Sequence, residues 1–452
     1  MGLPIDIRPS GWHEFRAKAS PFPSSARVCE GSIFNKPLMR RGPQLVTATP
    51  TSREQTPPRQ TQAESVSTAN PQPIPVLPSS PFKSSNNWTW GSRVKLSGGL
   101  CNVGVNCYLN SALQALRHCD GIYDLLEAFR YHFRDIDPAL DVGVATVNLL
   151  NQAVIEAKRR EERGPSRTNH LVPFIPTRLI DDLGDRFDPR KPLDVSEVLF
   201  YFVTLLQACA AKYHRPSVSA VDLQFAIMAE QKTMCSGCNI QSSHHFRLNA
   251  DGFVCLSMED ALLWTNDGYK ASLTSALDRY FRREKQTIYK TCDSCSQAKL
   301  KCTRRIVDLP QTLIVITNRC LTNLRKDTRR IIVDDILDLS SHIDNNIPCE
   351  YVYSLRAISV HNGDITSGHY YTFVKKSMDL EILRTDSGQT RTEEEHYDWA
   401  VFDDETVAPV TDETIERLLQ GYVDEDLEGT SCMFMYSLQR SSPFAPNLLL
   451  TL

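Results

Sequence analysis

The sequence lacks the roughly 18 consecutive apolar residues that a membrane-spanning helix requires. Its uninterrupted apolar runs, such as Leu313–Ile316 and Met433–Met435, stop after a few residues, so no membrane partner is expected. A basic-then-apolar leader is missing too, and Asp6 stands where a myristoylation signal takes Ser or Thr. An intracellular location, cytoplasmic or nuclear, is the resulting expectation. Charge of one sign is scarce: the formal net charge is −4 at pH 7. With no basic stripe carrying interleaved aromatics, nucleic acid is excluded as an expected partner. No internal repeat is present, which excludes a solenoid.

What is present is enough apolar material for a large core: 41% of 452 residues are hydrophobic, which suits one large mixed domain with a tail. The 14 cysteines are expected, in a reducing compartment, to be thiols, metal ligands or a nucleophile rather than disulfides. Residues 1–95 hold more than half of the 26 prolines, among Ser, Thr and Gln. Such a segment buries too little apolar area to offset its ordering entropy and reads as a disordered tail. Residues 96–440 read as globular, and 441–452 as a C-terminal tail.

Within the globular part the hydrophobic period changes. Tyr108, Ala112, Leu113 and Leu116 recur at helical spacing, as do Ile122, Leu125, Leu126 and Phe129. Val195, Val198, Leu199, Phe202 and Leu206 predict a third helix, led by Asp194 with Glu197 three residues on, a capping pattern. Further along, Tyr351, Tyr353, Leu355 and Ala357 alternate, and 312–317, 331–334, 369–374, 399–402 and 432–436 read as strands. The polar stretch 376–398 suits a long exposed hairpin loop. Helices grouped before antiparallel strands predict an α+β fold.

The segment Gly98-Gly99-Leu100-Cys101-Asn102-Val103-Gly104-Val105-Asn106 runs straight into the first helical pattern at Cys107. A thiol at a helix N-terminus meets unpaired N–H groups and the positive end of the helix dipole, both of which favour the thiolate. Asn106 is expected to cap that helix. Asn102, on the same glycine-containing turn, can aim an amide at a developing oxyanion. His369 follows Ser367-Gly368 and opens a strand; an imidazole there can take the thiol proton and return it to a leaving amine. The bland alternatives are a buried apolar cysteine and a structural histidine.

Two Cys-x-x-Cys knuckles, Cys235–Cys238 and Cys292–Cys295, match tetrahedral Zn²⁺ coordination with no position left for water, hence structural zinc. A redox dithiol pair is the other reading. The long gap between the knuckles predicts a folded insertion containing Cys255 and a helix over 271–282.

These residues resemble the ubiquitin-specific protease family. Gly99, Leu100, Asn102, Gly104, Cys107, Tyr108, Asn110, Ser111 and Gln114 are similar to its cysteine box. Val105 and Asn106 stand where that family usually has Asn and Thr. Residues 353–363 with Gly368-His369-Tyr370 resemble its histidine box, and Trp399-Ala400-Val401-Phe402-Asp403-Asp404 the strand after it. The resemblance implies a papain-like cysteine peptidase with helical thumb, antiparallel β palm and zinc-binding fingers near 220–310. It implies catalysis by Cys107, His369, Asp403 and Asn102, with Asp404 the alternative to Asp403 as the residue orienting the histidine. Asp194, Gly368 and Tyr370 would contact the substrate tail, and the partners would be ubiquitin and ubiquitinated proteins. The substitutions at Val105, Pro192 and Leu193 motivate two alternatives: a catalytically weak ubiquitin-binding scaffold, or a protease for another ubiquitin-like modifier.

Overall fold

The helix that starts on Cys107 is buried along its whole length. This element, α1 (Cys107–Arg117), has all eleven residues inside, as expected for a helix that packs on every side. Its neighbours are α2 (Ile122–His132), α3 (Val142–Arg163), α4 (Val195–Tyr213) and α5 (Ala220–Phe225). The computed structural model describes residues 98–439 apart from internal stretches, the longest being 164–178, 180–192 and 376–397. The two expected tails, Pro192 and nearly all of the expected hairpin loop lie outside the described residues.

The three helical patterns form as the periodicity predicts. Leu113, Leu116, Leu125, Leu126, Leu199, Phe202 and Leu206 meet in one apolar cluster. The stretch Val195–Lys212 is long and apolar enough, by length and composition, to cross a bilayer, although no uninterrupted apolar run marks it. Here 56% of it is buried inside the fold, as for the core helix of a globular domain.

The strands are β1 (Met228–Cys235), β2 (Gln241–Arg247), β3 (Val254–Ser257), β4 (Leu262–Thr265), β5 (Gly268–Ser272), β6 (Ile288–Thr291), β7 (Ala298–Asp308), β8 (Thr312–Asn318), β9 (Ile331–Ile332), β10 (Ile336–Asp338), β11 (Val352–Gly363), β12 (Gly368–Lys375), β13 (Trp399–Asp403), β14 (Thr406–Val410) and β15 (Thr430–Leu438). The main sheet runs β14-β13-β12-β11-β15-β8-β3, with β10 also beside β11. It is antiparallel except where β3 joins β8 in parallel. Alternation along its strands splits the core. Ala400, Phe402, Met433 and Met435 face the α1 cluster, while Trp399, Val401, Phe434 and Tyr436 face a second cluster containing Phe281. Phe281 lies on α6 (Leu273–Glu284), the helix expected over 271–282.

A separate antiparallel sheet, β2-β1-β7-β6, carries the four knuckle cysteines at or just beyond its strand ends. The chain between the knuckles is more than a local insertion, because it returns to the main sheet as β3 before β6 begins. The expected strand 331–334 shortens to Ile331–Ile332. Val333 N–H donates at 2.8 Å to the carbonyl of Leu419, at the end of α7 (Asp412–Leu419), which diverts the backbone from the ladder.

Candidate active site and metal centre

Three elements converge on Cys107: α1, which it begins, β12, which carries His369, and the turn joining β13 to β14. The register of β11 with β12 pairs Asn362 with His369 and Gly363 with Gly368. A Cβ on Gly368 would lie 2.3 Å from both the Asn362 carbonyl oxygen and His361 Nε2. Glycine is therefore required by the close approach of the two strands.

His369 Nε2 meets Asp403 Oδ1 at 2.5 Å, and Cys107 is the other neighbour that favours a charged imidazole. With Nε2 committed to Asp403, Nδ1 is the ring nitrogen left for the sulfur. Burial works against a charged imidazole here. The hydrogen bonds and charges of Asp403 and Cys107 outweigh it and raise the His369 pKa to about 11. Nearby His361 moves the other way: burial, Lys326 and His369 push it down to about 3, so it stays neutral.

Asp404 has a different task from Asp403. In the left-handed region at φ 48°, it accepts hydrogen bonds at 2.8 Å from Asn102 Nδ2 on one oxygen and from Asn110 Nδ2 on the other. Its distance to His369 Nε2 is 3.9 Å, well beyond that of Asp403. Burial raises its pKa to about 6, against the pull of the His369 charge and the two amides. The next residue, Glu405, accepts the backbone N–H of Asn102 at 2.8 Å. Three successive acids thus hold His369, the side chain of Asn102, and its backbone. Sequence reasoning weighed Asp403 and Asp404 for one role, orienting the histidine, and passed over Glu405, although three acids at a strand end were a visible signal.

Asn106 departs from expectation. It precedes α1 but makes no side-chain capping bond to it. Its Oδ1 instead accepts from Val103 N at 2.8 Å, because the tight turn before the helix brings that N–H nearer than the helix's own.

Asp194 caps α4, its Oδ1 accepting from Ser196 N at 2.7 Å, and its Oδ2 accepts the Tyr370 hydroxyl at 2.9 Å. These two residues, expected separately along the substrate tail, are therefore joined, tying β12 to α4. Glu197 lies close by, its pKa raised to about 7 by burial and by Asp194.

The four knuckle cysteines come together with every pair of sulfurs within 4.8 Å. Cys235 and Cys295 sulfurs lie 3.6 Å apart, and those of Cys238 and Cys292 3.7 Å. A tetrahedron of Zn–S bonds of about 2.3 Å has edges of about 3.8 Å, so the set could hold a zinc ion. The knuckles are twins: Asn239 N donates to the Cys235 carbonyl and Ser296 N to that of Cys292, and Asn239 and Ser296 both sit at φ 56°. Backbone N–H groups of Cys238 and Gly237 lower Cys235 to about 6. At Cys238 a backbone N–H also favours the thiolate, yet burial and the neighbouring sulfurs push it up to about 12. Such crowding of thiolates is what a divalent cation relieves.

The sequence model of the ubiquitin carboxyl-terminal hydrolase family matches residues 98–436. The probable ubiquitin carboxyl-terminal hydrolase 16 of Schizosaccharomyces pombe is 24% identical over 353 residues, 74% of this chain and 67% of that protein. Ubiquitin carboxyl-terminal hydrolase 17 of Arabidopsis thaliana is 26% identical over 372 residues, 78% of this chain. The chain spans only 44% of that relative's length, and 41% of ubiquitin carboxyl-terminal hydrolase 20 from the same plant. Among solved structures, a SAGA DUB module bound to monoubiquitin is similar at a TM-score of 0.49 and 16% identity, covering 76% of this chain and 69% of that one.

Proposed function

The chain belongs to the ubiquitin carboxyl-terminal hydrolase family, and we propose that it hydrolyses peptide and isopeptide bonds at the C-terminal glycine of ubiquitin on ubiquitinated proteins. The observation that carries the mechanism is His369 held at 2.5 Å by the Asp403 carboxylate, beside a thiol at the start of α1. His369 takes the Cys107 proton, and the thiolate sulfur attacks the glycine carbonyl carbon. Asp403 fixes the imidazole tautomer and stabilises the imidazolium so formed. The second amide hydrogen of Asn102, whose first is given to Asp404, donates to the oxyanion. Collapse expels the lysine amine, which leaves with the proton from His369. Water, deprotonated by His369, then attacks the thioester carbonyl and releases the ubiquitin carboxylate and the thiol.

Asp194 and Tyr370, with Gly368 in the adjoining hairpin, line the approach of the substrate tail, where a carboxylate suits tail arginines. The four cysteines would hold a structural Zn²⁺, which would keep the fingers sheet in shape for ubiquitin. A reducing, intracellular compartment supports this chemistry, and no cysteine among the described residues is in a disulfide.

The test is a ubiquitin probe carrying a C-terminal electrophile, beside turnover of a ubiquitin C-terminal fluorogenic amide. Capture at Cys107 and loss of turnover in Cys107→Ala, with ubiquitin affinity kept, are expected. Unimpaired cleavage by Cys107→Ala would sink the assignment. A panel of probes built on other ubiquitin-like modifiers should label the protein more slowly than the ubiquitin probe.

A further inference from the structure

Asn106 is 0% exposed, and its side chain does not cap the backbone of the helix it precedes. Its Oδ1 accepts from Val103 N at 2.8 Å, and its Nδ2 donates to the Cys101 carbonyl at 3.3 Å and to Asn110 Oδ1 at 3.2 Å. One amide therefore bridges both ends of the turn that presents Asn102. The backbone N–H groups of Asn106 and Gly104 meanwhile donate to Asn102 Oδ1 at 3.3 and 3.1 Å. Those two bonds fix which way the Asn102 amide faces: oxygen towards the turn, nitrogen towards Asp404. Asn110 closes the circuit, donating to the Cys101 carbonyl at 3.2 Å and to Asp404 at 2.8 Å.

We infer that Asn106 is a positioning residue for the oxyanion donor Asn102, fastening the Cys101–Gly104 turn where aliphatic Val105 offers no polar side chain. The inference rests on the reading of Cys107 and Asn102 given above. The pattern demands one acceptor and two donors from a single short side chain. A hydroxyl has one hydrogen and a carboxylate none, so only asparagine meets it. A turn so held delivers its donor with little reorganisation at the moment of reaction, which is what oxyanion stabilisation requires.

The test compares acyl transfer with simple alkylation. Displacement of iodide from iodoacetamide by the Cys107 thiolate forms a C–S bond and releases iodide without building an oxyanion. Asn106→Ala is expected to lower kcat on a ubiquitin C-terminal amide about 10- to 100-fold, the scale of a displaced donor. KM and the alkylation rate of Cys107 should stay within about 3-fold of wild type. In an Asn102→Ala background, Asn106→Ala should add almost nothing, because its effect passes through the side chain already removed. Where Asn106→Ala fails to unfold cooperatively on heating, Asn106→Thr, which keeps one hydroxyl, is measured in the same three ways. The inference is overturned by an unchanged kcat, by kcat and alkylation falling together, or by losses that add in the double variant. Failure of the underlying reading has its own signature: Cys107→Ala would keep turnover, whatever Asn106 variants do.

Discussion

Asp403 and Asp404 are consecutive in the chain but serve opposite sides of one site. Asp403 holds His369 Nε2 at 2.5 Å, while Asp404 turns its two oxygens to the amides of Asn102 and Asn110, each at 2.8 Å. The left-handed backbone at Asp404 reverses the chain between them. His369 and Asn102 are thus anchored to the same hairpin turn.

Asp403→Asn should lower kcat about 10²- to 10⁴-fold through loss of the tautomer and of imidazolium stabilisation. It should also change how stability follows pH. The His369 pKa is raised from 6.5 to about 11, so the pair's stabilising contribution is complete below about pH 6.5 and fades as pH climbs towards about 11. The difference in Tm between wild type and Asp403→Asn is therefore expected to be largest near pH 6 and to shrink by about pH 10. A gap that is constant across this range would mean the pair is not charged.

Asp404 predicts an acid limb. Its pKa is raised to about 6, so lowering pH through that value protonates it and removes one of its two acceptor positions. In wild type, kcat should fall below about pH 6. Asp404→Asn mimics the protonated form and should give a low kcat, about 10-fold or more below wild type, with the limb near pH 6 flattened. A pH–kcat profile of both proteins checks this; retention of the same limb in the variant would assign it to another group.

Metal analysis should find one zinc per chain. Cys292→Ser, or prolonged chelation, is expected to lower Tm by about 5 °C or more. KM for ubiquitin substrates should rise more than kcat falls, since the four sulfurs lie at the end of the fingers sheet. Unchanged Tm and KM after metal removal would show that the cluster is not structural.

Tyr370→Phe removes the hydroxyl that ties β12 to Asp194 at 2.9 Å. The expected cost is about 0.5–1.5 kcal/mol of stability, the ordinary worth of one hydrogen bond. Thermal denaturation measures it, and kcat should stay within about 3-fold because the relay itself is untouched. A larger fall in kcat than in stability would place Tyr370 among the reacting groups.

The elements readable in the sequence are those whose signal is local. Cys107 sits where a turn becomes a helix, His369 where a strand begins, and the knuckles are defined by a three-residue step; each was visible within a dozen residues. Asn102, by contrast, reaches Asp404 across 302 residues and Glu405 across 303, and no local pattern encodes such a contact. Asn106 was misread for a related reason. Its type and position are those of a helix cap, but the turn before it offers Val103 N–H at closer range. The strand at 331–334 failed at Val333 because the terminus of α7 claimed its N–H. Hydrophobic period sees burial, not which of two partners wins a hydrogen bond.

The return of the chain to the main sheet between the knuckles has a consequence for assembly. The Cys238 and Cys292 sulfurs meet across 54 residues, and the loop they close contains β3, the parallel edge of the main sheet. A bound ion therefore acts as a clasp on a long loop, and its closure entropy grows only as about (3/2)RT ln n. Stripping the ion would open that loop and so loosen the tether on β3 at the edge of the main sheet.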